Sequence, residues 1–222
     1  MKSSLNVLGL AALALLLAMA YLALAAWGYG GWRPLLASPA RAAVAGGLLA
    51  LAGMTPLCGC NLNAGRLSHS RNDWIFPVLL VAGLTMGWIS AWSDRHNRLV
   101  IGAGAIRSLG AAMFFAGCVL RVAAMLILND RFSVWVAIQH DHRLETTGLY
   151  RFIRHPSYTG AALTLLGWAL TFRSAIGLVL AAMMALLLIS RVQAEEQLLV
   201  AEFGDEYAEY QSRSWRLIPL VY

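Results

Sequence analysis

The sequence predicts an all-α, polytopic integral membrane protein of about six transmembrane helices, the last two forming a helical hairpin with a polar pocket. Two observations predict this fold class. Of the 222 residues, 59% are apolar and only 13% are charged, about half the charged share of an average soluble domain. Charges are thus too few to cover a globular surface in water. The apolar residues also gather into six runs, at about 5–28, 42–58, 74–92, 99–128, 156–172 and 175–193. Each is near the roughly 20 residues that a helix needs to cross hydrocarbon.

The first run follows Lys2 and holds "ALA" at Ala23–Ala25, so a cleaved signal peptide is the alternative to a span. Its apolar stretch exceeds the about 7–15 residues of such a peptide, which favours a retained helix. The second and fifth runs are short for a crossing, and the fourth is long enough to tilt. Arg107 lies near one end of that fourth run and can snorkel, whereas Arg121 is deeper and must face protein or a polar cavity. Between the last two runs, "RSA" at Arg173–Ala175 leaves room only for a tight turn. The longest polar connection runs from Asn129 to Pro156, and the tail after Arg191 places acids and aromatics at helical spacing. The chain therefore divides into four N-terminal spans, residues 1–128, and a C-terminal module, residues 129–222.

The formal charge of +6 is almost all arginine, since Lys2 is the only lysine. The arginines occupy the breaks between apolar runs, where lipid headgroups and topology account for them. No basic stripe marks a nucleic-acid surface. With helices alternating in direction, Lys2, Arg66, Arg71, Arg131, Arg143, Arg151, Arg154, Arg191, Arg213 and Arg216 share one side. Arg33, Arg41, Arg95, Arg98 and Arg173 share the other. Ten against five puts the polar connection and the tail in the cytoplasm by the positive-inside rule. Cys58, Cys60 and Cys118 lack the spacing of a structural zinc site, and the pair His140 and His142 has no clear fourth ligand. No metal is expected.

Three stretches carry chemistry. In "RHPSY", Pro156 suits the first helical position and the residue before a proline is held extended. His155 therefore projects from a fixed entry, with Tyr158 two residues into the helix and Gly160 permitting close packing. The plain alternative is an interfacial anchor, because Arg and Tyr often sit at headgroup level. In "HDHRLETTGLY", the "TTG" reads as a turn in which Gly148 is free to adopt a positive φ. In "RVQAEEQLL", Arg191 and Glu195 are four apart and neighbours on one helix face, with Glu196 about 100° further round. A simple ion pair is the plain reading there. Yet an arginine ending an apolar span is costly unless it is used, so Arg191 is read as holding an anionic substrate group. The tight hairpin brings His155 and Tyr158 beside Arg191 and Glu195, with the 139–150 connection folded over them. Such a pocket admits a polar cofactor from water and a greasy substrate from the bilayer.

These stretches resemble the isoprenylcysteine carboxyl methyltransferase family and its relatives, the phospholipid N-methyltransferases. The resemblance runs through "HRLETTGLYRFIRHPSYTG" and resumes at "RVQAEEQLLVAEFGDEYAEYQSRSWRLIP", leaving the four N-terminal spans without a signature. It implies an S-adenosylmethionine-dependent membrane methyltransferase that transfers a methyl group to a carboxylate of a lipid, or of another lipophilic or small molecule. By motif position His142, Arg143, Leu144 and Glu145 match the family's cofactor-binding H-x-L-V stretch, Glu145 departing from the usual valine. Tyr150 and then His155, Pro156, Ser157 and Tyr158 match further cofactor elements. Glu195 matches the acid that binds the cofactor. Arg191 matches the arginine that positions the substrate carboxylate, with Glu196 beside it on the substrate side. Methyl transfer to an amine or a thiol stays open. So does an NADPH-dependent reductase, because "FGDEYAEYQSRSWRLIPLVY" also resembles the tail of membrane sterol reductases. A membrane scaffold without turnover is the non-enzymatic alternative.

Overall fold

The computed structural model describes residues 4–58, 67–68, 74–102, 104–129, 137–138 and 144–221. Among them are eight α-helices: α1 (Ser4–Tyr29), α2 (Trp32–Leu36), α3 (Pro39–Met54), α4 (Ile75–Arg95), α5 (Ala105–Leu128), α6 (Pro156–Thr171), α7 (Ala175–Phe203) and α8 (Asp205–Ser212). A two-residue antiparallel pairing of β1 (Leu67–Ser68) with β2 (Ala137–Ile138) is the one sheet among the described residues.

Each of the six apolar runs contains a helix, the fourth from Ala105 onward, but their lengths divide them. Four helices are long and apolar enough to cross a membrane: Leu8–Tyr29 of α1, then α4, α5 and α7. α3 and α6 have 16 residues each, about 24 Å of rise at 1.5 Å per residue against a hydrocarbon core of about 30 Å. Each opens with a proline, Pro39 or Pro156, whose missing N–H is harmless in the first helical turn. At its far end α7 outruns its apolar stretch by ten residues, from 193 to 203, which keeps Glu195 and Glu196 on a rigid helix.

α5 and α6 meet backbone to backbone. A Cβ on Gly117 would lie 2.6 Å from the Gly160 oxygen, and one on Gly167 would lie 2.3 Å from the Phe114 nitrogen. Small residues in membrane helices permit such approach, and here they recur seven apart, at 110 and 117 on α5 and at 160 and 167 on α6. The seam is bordered by Trp168, whose ring packs on Tyr21 of α1 at 4.7 Å between centroids and on Phe172 at 4.8 Å. Arg121, deep in α5, donates through Nη1 to the oxygen and Oγ of Ser157, each at 3.2 Å. Its charge faces protein, as its depth requires.

The helix connections sort to two ends. At the turn end, Ile101 N donates to Arg173 O at 2.8 Å and Ala175 N to Leu99 O at 2.9 Å, which holds the α4–α5 loop against the α6–α7 turn. Asp94, wholly buried, gathers the charges there. Arg107 grips it with two hydrogen bonds of 2.6 and 2.8 Å, Arg173 Nε lies at 3.1 Å and Arg41 at 3.5 Å. Arg107, near one end of its run and able to snorkel, is held there by a carboxylate of the neighbouring helix. The opposite, or tail, end carries the start of α6, the end of α7, and α8.

Candidate active site

The tail end is built around the two termini of the α6–α7 hairpin. His155 precedes Pro156 and stands outside the helix at φ −125°, ψ 58°, the kind of non-helical backbone a residue before proline favours. One turn into α6, the Tyr158 hydroxyl donates to Glu195 Oε2 at 3.0 Å and lies within hydrogen-bonding reach of the Arg191 guanidinium. Arg191 is buried and Glu195 half-buried. The pair spaced i and i+4 on α7 thus converges on one hydroxyl from α6. The His155 and Tyr158 rings meet edge to face at 5.9 Å between centroids.

Glu196 looks elsewhere. It is 4% exposed, and its Oε1 accepts from Arg154 Nε at 2.9 Å with His155 Nε2 at 3.3 Å. Its Oε2 accepts from Nε and Nη2 of Arg216 at 2.8 and 2.7 Å. A carboxylate has about four acceptor directions, so Glu196, expected on the substrate side, has its capacity filled from within. Arg154 also donates to the carbonyls of Gln211, at 3.1 Å, and Ser214. The tail runs along the entry to α6: Arg154 N donates to Trp215 O at 2.8 Å, His155 N to Arg216 O at 3.1 Å and Trp215 N to Phe152 O at 2.9 Å. Arg154 and Arg216 were not singled out from the sequence. Glu196 lies 42 residues beyond the first and 20 before the second, and no local spacing joins them.

The remaining expected residues have varied surroundings. Tyr150 is buried, its hydroxyl donating to Ala124 O of α5 at 3.3 Å and its carbonyl accepting from the Tyr210 hydroxyl at 2.5 Å. Gly148 takes φ 55°, as the turn required. Glu145 accepts from Thr147 N at 3.2 Å and Thr147 Oγ1 at 2.5 Å, so the acid in place of valine folds back on its own loop. Leu144 is half-buried, and Ser157 lies under Arg121. His142 and Arg143 lie outside the described residues, as does His140. An open concavity of about 560 Å³ beside this loop is lined by Thr146, Arg151, Phe152, Tyr210 and Arg213. Tyr158, Glu195 and Arg191 are not in its wall.

One further side chain enters. Tyr207 of α8 is 1% exposed, and its hydroxyl has no hydrogen-bond partner among the described residues. Burial, reinforced by the Glu196 charge, holds its phenol well above the ordinary range, so it stays a neutral donor. The sequence offered it only as one aromatic of a helical tail.

The sequence profile of the isoprenylcysteine carboxyl methyltransferase family matches residues 110–201, from the glycine seam through Arg191, Glu195 and Glu196. Through that segment the chain is similar to this family. Among curated relatives, the protein-S-isoprenylcysteine O-methyltransferase of Schizosaccharomyces pombe is 35% identical over 108 residues, covering 47% of this chain and 46% of that one. An Arabidopsis thaliana relative, protein-S-isoprenylcysteine O-methyltransferase B, is 29% identical over 67% of this chain and 69% of its own. Methanethiol S-methyltransferase 1 of Bradyrhizobium diazoefficiens is 33% identical over 47% of this chain and 39% of its own. The match to the S. pombe relative thus spans about half of that protein's length. The solved structure of a eukaryotic intramembrane Ras methyltransferase, itself an isoprenylcysteine carboxyl methyltransferase, aligns with 90% of this chain and 73% of its own at a TM-score of 0.55 and 20% identity. The chain shares that membrane fold, and the aligned share extends well beyond the segment matched by the family profile.

Proposed function

We propose that this chain is an S-adenosylmethionine-dependent membrane methyltransferase acting on a carboxylate of a lipophilic or small acceptor. The observation that carries the proposal is the convergence of Arg191 and Glu195 on the Tyr158 hydroxyl, inside the segment matched by the family profile. The donor set suits the cofactor. Glu195 is a half-buried carboxylate able to accept from an ammonium or a ribose hydroxyl, Tyr158 offers an aromatic face to a cation, and the Tyr207 hydroxyl is a buried donor left over. The 142–145 stretch and Tyr150 complete the enclosure in this proposal, with His155, Pro156 and Ser157 fixing the helix start. When bound, the cofactor supplies a methyl group on a sulfonium, an electrophile that needs no further activation.

The chain's own task is alignment. An in-line displacement gains chiefly from holding the two reactants in reacting geometry. A carboxylate is already an anion at neutral pH, so no general base is required, and Arg191 orients it. Glu196 acts at one remove, positioning His155 and the tail. The site opens to the cytoplasm in this proposal, supported by the excess of arginine and lysine on the tail side.

The Bradyrhizobium similarity favours a second reading, in which the acceptor is a small thiol reacting as its thiolate beside Arg191. Incubation of the purified protein with isotopically labelled S-adenosylmethionine and a panel of membrane lipids, small acids and thiols separates the two by mass spectrometry. Labelled methyl esters are expected. Label on sulfur alone decides for the thiol, and no calorimetric binding of S-adenosylmethionine or S-adenosylhomocysteine sinks both.

A further inference from the structure

The turn end is described without a gap except at residue 103, and its charges do not balance. Arg33, Arg41, Arg95, Arg98, Arg107 and Arg173 lie there with Asp94 as the one acid, six minus one, a net of +5. At the tail end the described arginines 121, 151, 154, 191, 213 and 216 meet Glu145, Glu195, Glu196, Glu202, Asp205, Glu206 and Glu209, six minus seven. Asp94 is fully engaged by Arg41, Arg107 and Arg173. Carbonyls take many of the other guanidinium donors of that cage: Leu35 O and Pro34 O accept from Arg41 at 2.9 and 3.1 Å, and Thr171 O from Arg107 at 3.1 Å. Carbonyls satisfy hydrogen bonds without cancelling charge, so the cage keeps an excess of +2.

Outside the cage Arg33, Arg95 and Arg98 are exposed and make no ion pair among the described residues. No carboxylate remains at this end to receive them. Arg95 Nε lies 3.7 Å from where a Cβ on Gly30 would sit, which sets it against the turn that leads into α2, where Arg33 is the second residue. Arg98 follows on the α4–α5 loop, its N–H bonded to Ser93 O at 2.9 Å. Trp27 and Trp32, 72% and 44% exposed, flank the patch, and tryptophan gathers at the headgroup level of a bilayer. Every cation here is an arginine, whose planar fork matches phosphate oxygens two at a time.

We infer that the turn end binds the phosphate of an anionic phospholipid headgroup through Arg33, Arg95 and Arg98, in the leaflet opposite the active-site end. The Asp94 cage holds the helices that present these side chains and adds its residual charge to theirs. An anionic headgroup is the ligand that meets all three features at once: interfacial depth, unmatched positive charge and forked donors.

Native mass spectrometry of the purified protein in mixed phosphatidylglycerol and phosphatidylcholine micelles tests the inference. Wild type is expected to retain phosphatidylglycerol over phosphatidylcholine. The variant Arg33→Gln/Arg95→Gln/Arg98→Gln is expected to weaken phosphatidylglycerol retention by about tenfold or more, with phosphatidylcholine unchanged. Its unfolding temperature in lipid-free detergent should match wild type, since the Asp94 cage is intact, which separates loss of lipid from loss of fold. Arg213→Gln, exposed at the other end, should keep the preference. Equal retention of both lipids by wild type, or an unaltered preference in the triple variant, overturns the inference. Inorganic phosphate competing as well as phosphatidylglycerol does would assign the patch to a soluble anion and overturn it equally.

Discussion

Glu195 and Glu196 share one chemistry, and a single helical step of about 100° sends them to different partners. Glu195, half-buried and bonded to Tyr158, keeps acceptor capacity for a ligand. Glu196 is enclosed by Arg154, His155 and Arg216. Replacing Glu195 with Gln should therefore abolish calorimetric binding of S-adenosylhomocysteine with little change in unfolding temperature. Glu196→Ala should instead destabilise the fold by about 3–5 kcal/mol, the usual result of stranding buried charges. Arg191→Gln should keep cofactor binding and lower turnover by about 100-fold, on the scale of a misaligned reactant. Full activity in that variant would remove Arg191 from the substrate. Tyr207→Phe separates ligand from fold most sharply. Deleting a buried hydroxyl that has no partner among the described residues relieves a desolvation cost of about 1–3 kcal/mol, so stability should hold or rise while cofactor affinity falls. A drop in stability would mean that the hydroxyl bonds within the protein. The Arg191, Glu195 and Tyr158 triangle was legible in the sequence because it needs only an i,i+4 spacing and a tight hairpin. The Arg154–Glu196–Arg216 clamp was not, because a long-range ion pair leaves no periodic trace.

At the scale of elements, the glycine seam explains why α6 can be only 16 residues long: its contact with α5 is made by backbone, residue for residue, rather than by long side chains. Gly167→Ala should destabilise by about 1–3 kcal/mol, as overpacking does, since its Cβ would meet Phe114 N at 2.3 Å and Gly110 O at 2.7 Å. Gly46→Ala on α3 meets nothing within 4 Å and should gain about 0.5–1 kcal/mol from helix propensity. Thermal unfolding in one detergent compares the two. Gly160 was legible as a close-packing position, but its partner Gly117 was not, for the register between two helices is absent from either sequence. α8 has its own signature in pH. Burial, opposed by the nearby Arg154 charge, pushes the Tyr210 phenol from 10.0 up to about 12, so folding favours its protonated form. That contribution, about 3 kcal/mol for two pK units, is present below pH 10 and is lost as pH rises through 12. Tyr210→Phe should flatten the stability profile in that window.

For the whole molecule, composition alone identified a membrane protein, and the alternation of runs and turns identified which loops share an end. The lengths of the runs already marked the second and fifth as short for a crossing, and these are α3 and α6; what they pack against was not legible, because hydropathy records only how apolar a segment is. Nor did it pair Arg107 with Asp94. That pairing moves Arg107 to the turn end, as the bond to Ser157 moves Arg121 to the tail end, and makes the count of arginine and lysine eleven against six. Two electrostatic criteria now disagree about orientation. Counting cations in short loops favours the cytoplasm for the tail end, since acids contribute little to the positive-inside rule. Net charge over the sequence, with the loops assigned to the two ends by alternation, points the other way, +5 at the turn end against +1 at the tail end. The first criterion has the better physical basis, because the bias acts on arginine and lysine during insertion, before Asp94 or Glu196 has met its partners. A green fluorescent protein fused after Tyr222 should therefore fluoresce in a bacterial host, and alkaline phosphatase fused at the same point should be inactive. The reverse pattern would put the cofactor pocket on the far side of the membrane from the cytosolic supply of S-adenosylmethionine, and a methyltransferase so oriented would have no donor.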